Sequence, residues 1–128
     1  MLRVKTRLGP SPIEGLGVFA AEFIPKGTVV WDFHPPFDQA LTEEEMALAD
    51  PVERWFLDRY VYRHDRTGLY VHCGDNGRFI NHSDSPNLRE HYPVGHIQGQ
   101  DIAARDIQPG EELTCDYKSF DLDYRKKL

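Results

Sequence analysis

Arg78-Phe79-Ile80-Asn81-His82-Ser83-Asp84-Ser85-Pro86-Asn87 is the stretch on which the reading of this chain turns. Two apolar side chains, Phe79 and Ile80, stand directly before a run of short polar ones. The first two anchor in a core, while Asn81, His82, Ser83 and Asn87 supply donors and acceptors at its edge. Ser85-Pro86 biases the backbone away from helix and stiffens the exit. Such a loop either holds a polar ligand or caps a core. Asn81-His82-Ser83 also spells a glycosylation sequon, which carries meaning only in a secreted protein.

The chain around this loop has 128 residues, of which 40% are hydrophobic, enough for one domain with one core. No apolar run approaches the roughly 18 residues of a membrane span. Met1-Leu2-Arg3-Val4-Lys5 turns polar too early for a signal peptide, so an intracellular soluble protein with no membrane partner is expected. The formal net charge of −6 argues against direct nucleic-acid binding and suits a basic peptide. Cys73 and Cys115 have no CxxC spacing, and the histidines form no HExxH pair; His72-Cys73 beside His82 is the nearest approach to a metal fragment. No metal is expected.

Most of the chain reads as short strands. Leu2–Leu8 alternates apolar and basic residues, an edge-strand pattern ended by Gly9-Pro10-Ser11-Pro12. Val18–Ala21 and Thr28–Phe33 flank the turn Pro25-Lys26-Gly27, and Tyr60–His64 with Leu69–Cys73 reads as a hairpin. Alternation puts Tyr60 and Tyr62 on one face of that hairpin. They are core residues with hydroxyls at the rim, or the wall of a slot for an alkyl-ammonium. Asn87–Tyr92, Gln100–Ala104 and Glu112–Tyr117 complete the strands. Between them, Thr42-Glu43-Glu44-Glu45 and Asp50-Pro51-Val52-Glu53 are helix starts, with Val52, Trp55, Phe56 and Arg59 as the apolar spacing of an acidic helical insert. The pattern A-A-x-x-I-x-x-G occurs at 20–27 and again at 103–110, as two strand–turn–strand units placed at opposite ends of one β fold.

Gly15-Leu16-Gly17-Val18-Phe19-Ala20 matches the G-x-G-x-x-A dinucleotide fingerprint in letters only. That fingerprint opens a long helix, and here Pro25 and Gly27 arrive too soon. The glycines leave a bare backbone that a ligand can touch, or they make a simple turn.

Taken with Gly15–Phe19 upstream and Gly110-Glu111-Glu112-Leu113-Thr114-Cys115-Asp116-Tyr117 downstream, the opening loop resembles the SET domain, the S-adenosylmethionine-dependent protein-lysine methyltransferase family. The resemblance runs from about Val4 to Tyr117 and is strongest to the minimal viral and bacterial members. It implies a mainly β fold of the β-clip type: several small sheets, a short helical insert and a knot-like C-terminal segment. One domain over 1–128 is expected, with its core at 4–117 and a tail at 118–128. The resemblance implies S-adenosyl-L-methionine as co-substrate, held by Gly15, Leu16, Gly17, Arg78, Phe79, Asn81 and His82, with Tyr117 and Phe120 also touching it. It makes Tyr117 the catalytic tyrosine, helped by Tyr60, and places Tyr60, Tyr62 and Cys115 along the channel for a substrate lysine.

The chain departs from the family in two places. Cys115 stands where many relatives carry a bulkier aromatic, which leaves room for di- or trimethylation. The tail lacks the cysteine-rich zinc segment, so either Phe120 or Tyr124 stacks over the adenine, a partner subunit of a homodimer supplies the lid, or the lid is lost. The expected partner is a basic, lysine-bearing protein, such as a histone or chromatin protein. That places the chain in the cytoplasm if bacterial and at chromatin if it acts in a eukaryotic host. The competing readings are a SET-like peptide-binding scaffold without activity, and a metal-dependent hydrolase using His72 and His82.

Overall fold

A computed structural model describes all 128 residues. β1 (Thr6–Pro10) and β2 (Leu16–Ala20) form an antiparallel ladder. β3 (Val29–Asp32), β8 (Leu88–His91) and β9 (Gln100–Ala103) form a second sheet in the order β3-β9-β8. β4 (Gln39–Leu41), β5 (Tyr62–Arg63) and β6 (Tyr70–His72) form a third, in the order β4-β6-β5. β7 (Asn81–His82) runs parallel to β10 (Thr114–Cys115). Two helices, α1 (Glu43–Ala47) and α2 (Pro51–Tyr60), fill the insert between β4 and β5. The expected mainly β architecture of several small sheets is present.

The two A-A-x-x-I-x-x-G segments are not at opposite ends: they pair with each other. Ile24 and Ile107 exchange both backbone hydrogen bonds, at 2.9 and 2.8 Å. The Gly27 N–H donates to the Ala103 carbonyl at 2.8 Å, and the Gly110 N–H to the Ala20 carbonyl at 2.8 Å. Likewise the Ala103 N–H reaches the Thr28 carbonyl and the Ala20 N–H the Glu111 carbonyl, each at 2.9 Å. The sequence repeat is thus a local two-fold, in which each unit satisfies the other's backbone. Gly27 and Gly110 take φ of 87° and 90° at equivalent turns, a region that costs a side-chain-bearing residue. Val18, Ile24, Val30, Leu88, Ile107 and Leu113 meet across this clasp as the main core.

Elsewhere the boundaries move. β1 starts four residues later than the alternation suggests and runs through Pro10, tolerated because it pairs with Leu16 at the ladder's end. β4, with only three residues, shows no alternation to read. Both helix starts carry complete capping boxes, from Thr42 with Glu45 and from Asp50 with Glu53; a cap of this kind is worth about 1 kcal/mol. The predicted apolar face of α2 is only half right. Val52 and Trp55 are exposed, while Phe56 packs its ring 4.9 Å from Tyr60 and 5.7 Å from His72. Tyr60 ends this helix and is not in a strand, so its side-chain direction does not follow from alternation with Tyr62.

Candidate active site

The opening loop is held by side-chain amides. Asn87 donates to the Glu112 carbonyl at 2.8 Å and accepts from the Thr114 N–H at 2.8 Å, clamping the loop exit to the approach of β10. This lets β7 and β10 lie parallel with Asn81 opposite Thr114 and His82 opposite Cys115. The Asn81 amide is shared among the Ser11 hydroxyl at 3.2 Å and the carbonyls of Glu14 at 3.2 Å and Leu16 at 3.0 Å. The loop is thereby fastened to the glycine segment, far away in sequence.

His82 and Tyr117 are joined next. His82 Nδ1 accepts the Tyr117 N–H at 3.1 Å, which leaves Nε2 to carry the proton and donate to Asp84 Oδ1 at 3.1 Å. Tyr117 opens a 3₁₀ turn (Tyr117–Ser119) two residues past the end of β10, where a continuous strand is expected from sequence. Its hydroxyl donates to the Ile80 carbonyl at 2.6 Å. Burial, reinforced by neighbouring Cys115 and acidic side chains, pushes the phenol well above its ordinary value. Tyr117 therefore keeps its proton at neutral pH.

Beyond Tyr117 opens an aromatic cavity. Tyr60, Tyr62, Cys115, Tyr117 and Phe120 border it, as do Arg78 and Asp101. Phe120 stands edge-on to Tyr62, with centroids 5.0 Å apart, and 6.1 Å from Tyr117. Burial drives the Tyr62 phenol and the Cys115 thiol upward, so both stay neutral. The tail that carries Phe120 is pinned by buried Asp121, which accepts from the Arg63 N–H at 3.1 Å and from Lys127 Nζ at 2.6 Å. The Tyr124 side chain meets its neighbour Arg125 and does not border the cavity; of the two tail aromatics, Phe120 is the one seated there.

The family model for the SET domain matches residues 15–118. The chain belongs to the SET domain family. It is 34% identical over 86% of its length to "Histone-lysine N-methyltransferase, H3 lysine-4 specific" of Schizosaccharomyces pombe, covering 12% of that protein. To the rat "Histone-lysine N-methyltransferase SETMAR" it is 34% identical over 81% of its length, covering 36% of that protein. The chain thus spans little more than a third, at most, of either of these relatives. Among solved structures, the Chaetomium thermophilum Polycomb Repressive Complex 2 in an autoinhibited conformation bound to S-adenosylmethionine aligns over 97% of this chain and 16% of that one. The TM-score is 0.69 at 25% identity.

Within this SET domain the site residues fall into two groups. Tyr60, Tyr62, Arg78, Cys115, Tyr117 and Phe120 border the cavity. Gly15, Leu16, Gly17, Phe79, Asn81 and His82 do not; Asn81 donates to the Leu16 carbonyl, and Tyr117 donates its N–H to His82 and its hydroxyl to the Ile80 carbonyl between Phe79 and Asn81. Gly17 has a more specific reason than a bare backbone, because a Cβ there would lie 2.2 Å from Glu112 Oε1. Its space belongs to the Glu112 carboxylate, both of whose oxygens are buried without a protein partner. Gly15, with φ of 48° and open space beside it, remains a turn glycine. Asn87 has the donor and acceptor role expected of it from sequence, whereas Glu112 was read only as part of the downstream motif and Asp101 only as part of the Gln100–Ala104 strand; long-range packing is what sets those two apart. No group of three or more His, Cys, Asp or Glu side chains is arranged to hold a metal ion, and no helix is long and apolar enough to cross a membrane.

Proposed function

We propose that this SET domain transfers a methyl group from S-adenosyl-L-methionine to a lysine side chain of a basic protein. The observation that carries this is Tyr117, tied by its backbone N–H to His82 and by its hydroxyl to the Ile80 carbonyl, while the residue also borders the aromatic cavity. One residue touches both places that two substrates need. The unpartnered Glu112 carboxylate beside Gly17 suits the cofactor's α-ammonium, and the open turn at Gly15 leaves backbone free for its carboxylate. These residues fit the group. Gly15, Leu16, Gly17, Asn81 and His82 hold its methionine end, with Arg78, Phe79 and Phe120 around the rest; when bound, it supplies a methyl on a positively charged sulfur.

The chain's own work is placement. Tyr60, Tyr62 and Phe120 enclose the alkyl stem of the lysine, exclude water and favour its uncharged amine. Tyr117, its hydroxyl hydrogen committed to Ile80, turns oxygen lone pairs toward the reacting groups and orients them. Holding both substrates in line is worth roughly 7–11 kcal/mol at best. Cys115 leaves the space that a bulky aromatic would take, so we assign di- and trimethyl products. Residues 118–128 act as the lid through Phe120, within a single domain, so no homodimer is required to close the site.

The test is transfer of radiolabel from S-adenosyl-L-[methyl-³H]methionine to core histones, with the modified residue identified by mass spectrometry. Label on lysine, including dimethyl forms, supports the reading. Cofactor binding by calorimetry with no transfer to any basic protein would leave a peptide-binding module instead.

A further inference from the structure

A lysine reaches any neutral-pH active site as an ammonium, and it must lose a proton before it can attack. Tyr117 is poorly placed to take it, since burial holds its phenol protonated. The cavity contains three acids, Glu90, Asp101 and Asp121. Asp121 is paired with Lys127 at 2.6 Å, and Glu90 already accepts from Tyr92 at 2.9 Å and from Ser119. Asp101 is different. It lies on the central strand β9, in register between Trp31 and Glu90, and its side chain borders the cavity together with Tyr62, Cys115 and Tyr117.

We propose that Asp101 is the proton acceptor for the lysine ammonium that enters this cavity, an inference that rests on reading the cavity as the lysine channel. The step balances simply. An ammonium N–H bond breaks and an O–H bond forms on Asp101. The freed lone pair then forms the N–C bond to the methyl while the C–S electrons return to sulfur. Asp101 gives its proton to solvent once the product leaves, and the methylated amine keeps the positive charge that sulfur lost.

The surroundings suit that task. Burial first, then Glu90 on β8, pushes the Asp101 carboxyl up to about 7, against a smaller downward pull from the N-terminal ammonium. Tyr62 from β5, Cys73 after β6 and Cys115 from β10 sense its charge and are held neutral by burial, and the cavity it borders also carries Arg59, Arg78 and Lys127 together with His64, Tyr92 and Tyr117. Trp31 from β3 carries no charge. A carboxylate near 7 is closer to an amine of reference pKa about 10.4 than an ordinary one is, and burial lowers that amine further. Proton transfer to a positioned base contributes about 10²–10⁴-fold.

Single-turnover methyl transfer to core histones, followed across pH in wild type and in Asp101→Asn, tests this. Wild type should level off near pH 7. The Asn variant should lose about 10²-fold or more at neutral pH, recover as pH rises toward the lysine range, and bind cofactor unchanged by calorimetry. A variant with the wild-type rate and profile overturns the proposal. The amine site itself is read separately by ¹³C NMR titration of Asp101 with and without n-butylamine. A lower Asp101 pKa with the amine supports its role, and an unmoved one overturns it. Wild type inert toward histones while Asp101 responds to butylamine overturns the methyltransferase reading and leaves the amine site standing.

Discussion

At the junction, Asn81 spreads its amide over three acceptors, Asn87 fastens two strands, and both His82 nitrogens are engaged. In the cavity a few ångströms of side chain away, Trp31 Nε1 and Arg78 Nε are buried with no partner, and no hydrogen bond contributes to the state of the Asp101 carboxyl. A buried polar group left unpaired costs about 1–3 kcal/mol. The junction avoids that cost and so fixes a backbone. The cavity bears it, which fits groups kept for a ligand. Glu112 is the instructive exception: it sits against the junction's glycine segment, yet both its carboxylate oxygens are buried and unpartnered.

The sharpest way to separate the two regions is at the residue they share. Tyr117→Phe keeps the ring and the backbone bond to His82 but removes the hydroxyl oxygen. Turnover should fall about 10²–10³-fold with cofactor affinity by calorimetry nearly unchanged; an equal loss in both would make Tyr117 part of the junction alone. Asn87→Ala should do the opposite. It strands the Thr114 N–H and the Glu112 carbonyl and should cost roughly 2–4 kcal/mol in urea unfolding, with activity lost only as the protein unfolds.

Next comes pH. His64 is buried and neutral, accepting the Arg66 N–H at Nδ1, and burial lowers its pKa. The unfolded chain therefore binds the proton more readily, so this contribution is present above the ordinary histidine value of about 6.5 and is lost as pH falls below it. Asp101 has the reverse sign. Its raised carboxyl binds a proton in the fold that the unfolded chain has released, so stability declines as pH rises from the ordinary aspartate value of 3.8 to about 7. Thermal midpoints should show both slopes, and Asp101→Asn should flatten only the second, gaining a few degrees at alkaline pH. The smallest effect belongs outside both regions. A double-mutant cycle on the exposed Arg54–Asp58 pair of α2, 2.7 Å apart, should give no more than about 0.5 kcal/mol.

The junction was legible in the sequence because its parts are local words, Asn81-His82, Gly15-Leu16-Gly17 and Glu112–Tyr117; outside it, the Thr42 and Asp50 helix caps carry their own signature as well. The repeated A-A-x-x-I-x-x-G was legible as well, but not its meaning, since nothing in a pattern says that Ile24 will bond to Ile107. The cavity was legible in its tyrosines and in Arg78, Cys115 and Phe120, but not in its acids. Asp101 is one member of Gln100-Asp101-Ile102, and strand alternation does not say whether its face meets water or a closed pocket. Tyr60 was misplaced because the cap at Asp50 starts a helix that lasts until β-branched Val61, a boundary that propensity blurs.

The central claim is that cofactor and lysine approach Tyr117 from these two regions. A crystal structure with S-adenosylhomocysteine and a lysine peptide tests it most directly. The account predicts the cofactor's α-ammonium on Glu112, its sulfur facing the Tyr117 hydroxyl, and the lysine amine in the cavity between Tyr62 and Asp101. A cofactor lodged inside the cavity, or a lysine bound away from Tyr117, would contradict it.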